Sequence, residues 1–121
     1  MRKILIIEDD TSLSEAYKEM FKPEEFSVSI AATGQEGLNR IKQETTDIII
    51  LDIMLPGGMN VFDVLEQIKR NPATQNLPVL VLTNLDSEDK VAKTIGVCDY
   101  AVKANTTKDE VVKLVMSCLT V

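Results

Sequence analysis

The stretch that decides the fold is residues 48–52, Ile-Ile-Ile-Leu-Asp, in which four consecutive apolar residues end on an acid. Two more apolar runs, at 4–7 and 79–82, repeat this pattern and also lead into polar residues. Strands buried on both faces have this continuous apolar character, and they occur mainly in parallel sheets that helices cover on both sides. An alternating run at 26–30 is typical of a half-exposed edge strand, and a weaker apolar run follows at 100–102. Five strands are therefore predicted.

The segments between and after these strands have the periodicity of amphipathic helices. Apolar residues recur at helical spacing in five segments, at 13–21, 38–41, 61–68, 91–95 and 111–119. Capping boxes are expected to open three of the helices, with the pairs Ser12–Glu15, Thr33–Glu36 and Thr107–Glu110. Alternating strands and helices predict an α/β fold, a single (βα)5 doubly wound parallel sheet.

Length and charge restrict the possible functions. The chain has 121 residues, 45% of them hydrophobic, which suits one domain over residues 1–121 with no effector domain. Lys and Arg number 13 and Asp and Glu number 19, so the net charge is −6. An acidic chain lacks the positive surface that a nucleic-acid backbone requires, so direct nucleic-acid binding is not expected. The sequence has no histidine, which excludes Ser-His-Asp and Cys-His catalysis and histidine metal sites.

The sequence has no pattern for export or membrane insertion. Its first apolar run has four residues, against roughly 7–15 in a signal peptide, and no run approaches the roughly 20 that cross a bilayer. We therefore expect a cytoplasmic protein without a membrane partner. In that compartment Cys98 and Cys118 are expected to be reduced thiols with a structural role.

Chemically active side chains stand at four of the five predicted strand ends. They are Glu8 and Asp9 after the first strand, Asp52 after the third, Thr83 after the fourth and Lys103 after the fifth. In an open parallel sheet, ligands bind at the carboxyl ends of the strands. The sequence therefore predicts that these side chains converge on one edge of the sheet.

Acids, a hydroxyl and an amine at one edge indicate phosphoryl chemistry with a divalent cation. Carboxylates without histidine or thiolate are the ligands that Mg²⁺ or Mn²⁺ prefers. An aspartate beside such a cation can attack a phosphoryl group, and the cation and a lysine can neutralise the charge of that group. Asp10 has a different interpretation, because with Thr11 and Ser12 it stands where a helix is capped. It is therefore left out of the metal set.

The whole chain resembles a bacterial two-component response-regulator receiver domain. The motifs that carry the resemblance are Glu8-Asp9, Leu51–Pro56 around Asp52, Leu82-Thr83 and Asp99–Lys103. All four stand in order at the predicted strand ends. The resemblance implies the flavodoxin-like strand order 2-1-3-4-5 and a switch operated by phosphorylation.

The resemblance also implies the roles of the acidic residues. Asp52 would be the phosphoacceptor. Mg²⁺, with Mn²⁺ as a possible substitute, would be held by Glu8, Asp9, Asp52 and the main-chain carbonyl of Met54. The donor would be a phosphohistidine on a histidine kinase or a phosphotransfer protein.

The remaining motif residues would bind the phosphoryl group and transmit the change. Lys103 would bind the phosphoryl group, Thr83 would turn towards it, and Tyr100 would change its rotamer to follow. The chain would assist its own phosphorylation and dephosphorylation, but its output would be protein binding and not turnover of a substrate. The surface for a downstream partner or a self-dimer would be the fourth and fifth predicted helices, at 91–95 and 111–119.

The last helix has more apolar surface than one core stripe requires. Val112 and Met116, four residues apart, lie beside the main stripe. They are interpreted either as a wide core-facing stripe or as part of the partner surface. Whether the chain is a stand-alone regulator or an excised receiver domain is left open.

Three positions depart from the family pattern. The loop at 56–62 is one residue longer than usual, with Val61 where glycine is common. Ala104 replaces the usual proline after the lysine, and Asn84 stands where a smaller residue is common. A cis bond to Ala104 would cost about 2.5–4 kcal/mol, so the lysine loop loses a rigid constraint.

Two further positions predict the lifetime of the phosphorylated form. Met54 and Leu85 stand two residues past the acceptor and the threonine, where the family tunes loss of the phosphoryl group. Neither side chain can orient an attacking water. The sequence therefore predicts slow self-dephosphorylation.

Three other functions compete with the phosphorylation switch. A receiver-like binding module that is never phosphorylated remains open because of the altered loops. A flavin-binding electron carrier of the same layer order would need a phosphate-binding loop where Glu8, Asp9 and Asp10 stand. A phosphatase of the Asp-x-Asp type would need a second acid, and Met54 occupies that position.

Overall fold

The structure is a computed structural model that describes residues 2–52, 61–83, 99–102 and 107–119, with the backbone alone at 52, 61–62, 83 and 99–102. The strands in these ranges are β1 (Arg2–Ile7), β2 (Phe26–Ala31), β3 (Ile48–Asp52), β4 (Val79–Thr83) and β5 (Asp99–Val102). The helices in the same ranges are α1 (Thr11–Glu19), α2 (Gly34–Gln43), α3 (Val61–Arg70) and α4 (Lys108–Leu119). None of these helices has the length and apolar character needed to cross a membrane.

The five strands form one parallel sheet in the order β2-β1-β3-β4-β5. This order confirms the predicted α/β sheet and its 2-1-3-4-5 arrangement. β2 lies at an edge, as its alternating sequence indicates, and β5 lies at the other edge. The helix predicted at 91–95 falls outside the described residues.

The apolar runs form two cores, one on each face of the sheet. Successive strand residues point to opposite faces, so each run contributes to both cores. Side chains of α1 and α4 pack on one face, against Ile4, Ile6, Ile48, Ile50, Leu80 and Leu82. Side chains of α2 and α3 pack on the other face, against Leu5, Ile7, Ile49, Leu51, Val79 and Val81. The continuous apolar sequences therefore reflect burial on both faces.

The helix starts confirm Thr33 and Thr107 as N-caps and correct a third predicted cap. Thr33 and Thr107 each accept a hydrogen bond from the backbone N–H three residues on, at 3.1 and 3.2 Å. The capping box predicted at Ser12–Glu15 is wrong, because the helix begins at Thr11 and its N-cap is Asp10. The Asp10 carboxylate accepts from the Leu13 N–H at 3.1 Å. The interpretation of Asp10 as a cap is thereby confirmed.

Cys118 corrects the expectation of reduced thiols. It lies in the last turn of α4, is 3% exposed, and is disulfide-bonded. Cys98, the other cysteine of the sequence, falls outside the described residues. The periodicity of the last helix shows that Cys118 is buried, but a covalent bond depends on which segment packs against it. That is a tertiary property, which the pattern of one helix does not contain.

Candidate functional site

The strand register brings three predicted site residues to one edge of the sheet. Ile7 is paired with Leu51 across β1 and β3, so Glu8 and Asp52 occupy the next positions on neighbouring strands. Asp52 is in turn paired with Leu82 on β4, and Thr83 is the residue after it. Neighbouring strands lie about 4.8 Å apart. The backbones of Glu8, Asp52 and Thr83 therefore meet at the carboxyl edge.

Glu8 is held in place by one hydrogen bond of its backbone and one of its side chain. Its N–H donates to the Ala31 carbonyl at 2.9 Å, which extends the pairing of β1 with β2 by one residue. Its Oε1 accepts from the Asp10 N–H at 3.2 Å. The residue is only 4% exposed. A carboxylate buried this deeply is costly unless hydrogen bonds or a cation stabilise it.

The next two acids differ from Glu8 and from each other. Asp9 and Asp10 are both exposed, but the Asp10 carboxylate is bound to the first turn of α1. The Asp9 carboxylate is not part of the helix cap. Glu8 and Asp9 thus provide one buried and one exposed carboxylate beside the end of β3.

The oxygen donors at this edge fit a hard divalent cation. Mg²⁺ is bound by one or two carboxylates and retains several waters. Carbonyl oxygens are also suitable ligands for it. Among the side chains that the structure describes, no group of three acids, cysteines or histidines could hold a metal ion. The candidate set needs the side chain of Asp52 and the carbonyl of Met54, which lie outside that description. Glu8 and Asp9 are the members of the set whose side chains are described.

The end of β5 adjoins the end of β4 at the same edge. Thr83 is paired with Val102, and Val81 with Tyr100. Lys103 follows Val102 directly but lies outside the described residues, as do Met54, Asn84 and Ala104. Tyr100 is described in its backbone only. The backbone thus leads from β5 to the edge where Lys103 was expected.

Two groups in this site were missed by the sequence analysis. They are the Ala31 carbonyl and the Asp10 N–H, which hold the backbone and the carboxylate of Glu8. Main-chain groups leave no signature in the identity of a residue. The alternating run at 26–30 was the one available signal, and its use required the strand order to be known.

Comparison with known proteins shows which family this chain is similar to. Residues 4–115 match the model of the response regulator receiver domain. The chain is 36% identical over 105 residues to the transcriptional regulatory protein AfsQ1 of Streptomyces coelicolor, covering 85% of the chain and 45% of that protein. It is 30% identical over 109 residues to the phosphate regulon transcriptional regulatory protein PhoB of Rhizobium meliloti, covering 88% and 48%. The chain thus spans about half the length of these relatives.

Solved structures share the whole fold. The chemotaxis response regulator CheY4 of Vibrio cholerae superposes with a TM-score of 0.88 at 25% identity, covering 98% of this chain and 99% of that one. The response regulator TrrA of Thermotoga maritima, solved in complex with Mg²⁺-BeF, superposes with a TM-score of 0.86 at 25% identity, covering 98% and 100%.

Proposed function

The chain belongs to the response regulator receiver family of two-component signalling, and on that premise we propose how its own residues operate the switch. Asp52 accepts a phosphoryl group from a phosphohistidine on a histidine kinase or phosphotransfer protein. The observation that carries this assignment is the register of β1, β3 and β4, which supports a shared edge for Glu8, Asp52 and Thr83. We propose that residues 1–121 form one receiver domain and act in the cytoplasm.

The transfer itself needs only one new bond at phosphorus. A carboxylate oxygen of Asp52 attacks the phosphorus, the P–N bond to the donor imidazole breaks, and the electron pair stays on that nitrogen. The product is an aspartyl phosphate and a histidine on the donor. Lys103 pairs with the phosphoryl oxygens, and the Thr83 hydroxyl donates a hydrogen bond to one of them.

Mg²⁺ supplies charge neutralisation for the transferring group when it is bound. Glu8, Asp9, Asp52 and the Met54 carbonyl are the residues that would hold it. The buried position of Glu8 supports this assignment, because a cation offsets the cost of burying its charge. The fact that TrrA was solved with Mg²⁺-BeF supports a site for the same ion in this fold. Mn²⁺ has the same preference for oxygen ligands and is proposed as a substitute.

The proposed output is a change in protein binding. Thr83 and Tyr100 lie on neighbouring strands. A movement of Thr83 towards the phosphoryl group would leave space into which the Tyr100 side chain turns. On α4, Val112 packs against the core, whereas Met116 is 45% exposed. The exposed methionine supports a surface for a downstream protein or a second copy, together with the helix predicted at 91–95.

Phosphorylation is tested by intact-mass spectrometry after incubation with acetyl phosphate, with and without Mg²⁺. We expect a gain of one phosphoryl group that requires Mg²⁺ and is lost in Asp52→Ala. Glu19→Ala is the matched control, because Glu19 is an exposed acid at the end of α1, which leads to the start of β2 at the opposite edge of the sheet. A folded chain that binds Mg²⁺ and gains no phosphoryl group would instead be a binding module that is never phosphorylated.

Slow loss of the phosphoryl group is proposed from Met54 and Leu85. A glutamate at position 85 can orient a water towards phosphorus, so Leu85→Glu should shorten the lifetime of the phosphorylated form several-fold. The measurement is the decay of the phosphorylated mass after acetyl phosphate is removed. Leu85→Met serves as the control for side-chain size, and equal lifetimes in the glutamate variant and the wild type contradict the proposal.

A further inference from the structure

The side chain of Lys69 differs from the other lysine side chains that the structure describes. It is half-buried at the end of α3, whereas the lysines at 3, 18, 22, 42, 108 and 113 are exposed. We propose that Lys69 is an acylation site, which takes an acyl group from an acyl phosphate and thereby loosens the loop at 71–78. The reaction does not involve Asp52, so it does not depend on the phosphoryl transfer proposed there.

Two main-chain carbonyls hold the amine of Lys69. Its Nζ donates to the carbonyl oxygens of Gln75 and Leu77, at 3.2 and 3.4 Å. An ammonium has three N–H groups, whereas a neutral amine has two N–H groups and a lone pair. The two carbonyls therefore satisfy both N–H groups of the neutral amine and leave its lone pair directed away from the loop. That lone pair is the part of the group that attacks an acyl donor.

Partial burial favours the neutral amine as well. It removes water from the charged form, which lowers the pKa of Lys69 below its usual 10.5. The acid closest to it along α3, Glu66, pairs with Arg70. Among the residues with described side chains, no carboxylate forms an ion pair with Lys69. Desolvation without a paired anion is one way in which a lysine becomes a nucleophile.

The reaction is acyl transfer to nitrogen. The lone pair of Nζ attacks the carbonyl carbon of the acyl phosphate, the C–O bond to the phosphate breaks, and the electron pair leaves with the phosphate. The nitrogen releases one proton to the solvent, and the products are an amide on Lys69 and inorganic phosphate. An acyl phosphate thus serves two separate reactions on this chain, since Lys69 attacks its carbon and Asp52 attacks its phosphorus.

The amide cannot make the contacts of the amine. It has one N–H and no charge, so at most one of the two hydrogen bonds to the loop survives. The acyl group also adds volume beside Leu77, which is half-buried against the core. The loop keeps its other side-chain contact with α3, in which Thr74 Oγ1 donates to the Ile68 carbonyl at 2.7 Å. Acylation is therefore expected to loosen the part of the loop directly before β4.

The preference for Lys69 is tested by a short exposure of the full folded chain to acetyl phosphate. The chain is then unfolded, the remaining amines are capped with deuterated acetic anhydride, and tandem mass spectrometry gives the ratio of light to heavy acetyl at each lysine. We expect the light fraction at Lys69 to exceed that at the exposed Lys42 and Lys113 several-fold. An equal or smaller fraction at Lys69 overturns the proposal.

Two controls separate this preference from other causes. In guanidinium chloride the two carbonyl contacts are absent, so the preference should vanish, and a preference that persists there also overturns the proposal. Asp52→Ala should keep the acetylation of Lys69 while losing the phosphoryl group. Acetylation without phosphorylation in the wild type would contradict the proposed function alone, and phosphorylation without preferred acetylation would contradict the acylation site alone.

The effect on the loop is tested by hydrogen exchange in Lys69→Gln, whose side chain is uncharged like the acylated lysine. The reporters are the backbone N–H groups of Thr74, Gln75 and Leu77, which donate to carbonyls within the loop. We expect them to exchange several-fold faster than in the wild type. Lys42→Gln is the matched control and should leave them unchanged. Equal exchange in Lys69→Gln and the wild type would show that the amine does not hold the loop.

Discussion

Asp9 and Asp10 are adjacent acids, and the structure shows that their carboxylates make different contacts. The Asp10 carboxylate caps α1 through the Leu13 N–H, whereas Asp9 is exposed beside the buried Glu8. The sequence alone places both acids after the same strand. Only the start of the helix at Thr11 assigns Asp10 to the cap and leaves Asp9 for the proposed metal site.

Replacing each acid by alanine should have opposite effects on stability and Mg²⁺ binding. Asp10→Ala should lower the free energy of unfolding by about 1 kcal/mol, the usual loss of an N-cap, and leave Mg²⁺ binding intact. Asp9→Ala should leave unfolding in EDTA nearly unchanged and abolish the rise in melting temperature that Mg²⁺ gives through ligand linkage. Thermal unfolding with EDTA and with Mg²⁺ measures both effects. Loss of the Mg²⁺ effect in Asp10→Ala alone would contradict the assignment.

Lys69 is hydrogen-bonded to the loop that leads from α3 into β4. Its Nζ donates to the carbonyls of Gln75 and Leu77, at 3.2 and 3.4 Å. Lys69→Met keeps the apolar stem and removes both hydrogen bonds, so the free energy of unfolding should fall by about 1 kcal/mol. Urea unfolding measures the loss. Lys42→Met, at an exposed lysine on α2, is the control and should change stability little.

The same lysine should give the wild type a pH dependence at high pH. Partial burial lowers the pKa of Lys69 below its usual 10.5, so over the range just below 10.5 the unfolded chain binds this proton more tightly than the folded chain. Stability rises with pH wherever the unfolded state holds more protons. The difference in unfolding free energy between wild type and Lys69→Met should therefore grow as the pH approaches 10.5. A difference that shrinks over this range would contradict the direction of the shift.

At the scale of elements, α2 lies against β1 through a glycine. A Cβ on Gly37 would stand 2.8 Å from Cγ1 of Ile7 and would also meet its Cδ1. Alanine is favoured over glycine in a helix interior by about 0.5–1 kcal/mol, but here the contact outweighs that preference. The close approach explains why a helix carries glycine at this position.

Gly37→Ala should therefore destabilise the protein, by about 1–3 kcal/mol as expected for overpacking. The partner variant Ile7→Val removes the Cδ1 methyl, so the alanine should cost less in that background. Urea unfolding of the wild type, both single variants and the double variant gives the coupling free energy. Additive effects would show that the helix does not rest on Ile7.

The helix termini show how far local sequence predicts an element. The N-caps at Thr33 and Thr107 were predicted correctly because each hydroxyl and the N–H that it binds lie within four residues of each other. The box at Ser12 was wrong because the acid before it caps the helix two residues earlier. Which of the competing acceptors caps the helix depends on the residue at which the helix begins, and here that residue is Thr11.

At the scale of the whole molecule, the disulfide bond of Cys118 should contribute to stability. A disulfide restricts the unfolded chain, and loss of a native one typically lowers the free energy of unfolding by about 2–5 kcal/mol. Dithiothreitol should lower the unfolding free energy of the wild type by that order and leave Cys118→Ser unchanged. An equal effect of dithiothreitol on both proteins would show that the loss has another origin.

The sequence by itself determined the number of described strands, their succession along the chain, the two-sided burial of three of them, and the acids, hydroxyl and amine that follow them. These properties are local, since a few consecutive residues are enough to specify the periodicity of a segment and the end of a strand. The resemblance to the family added the order of the strands within the sheet, which composition and spacing do not specify.

Only the tertiary structure decided which backbone groups hold Glu8, which acid caps α1, why Gly37 must lack a side chain, and that Cys118 is covalently bound. Each depends on contacts between segments distant in the chain, or on the direction from which one element enters the next. Such contacts follow from the register and spacing of packed elements, and the pattern of a single segment cannot specify them.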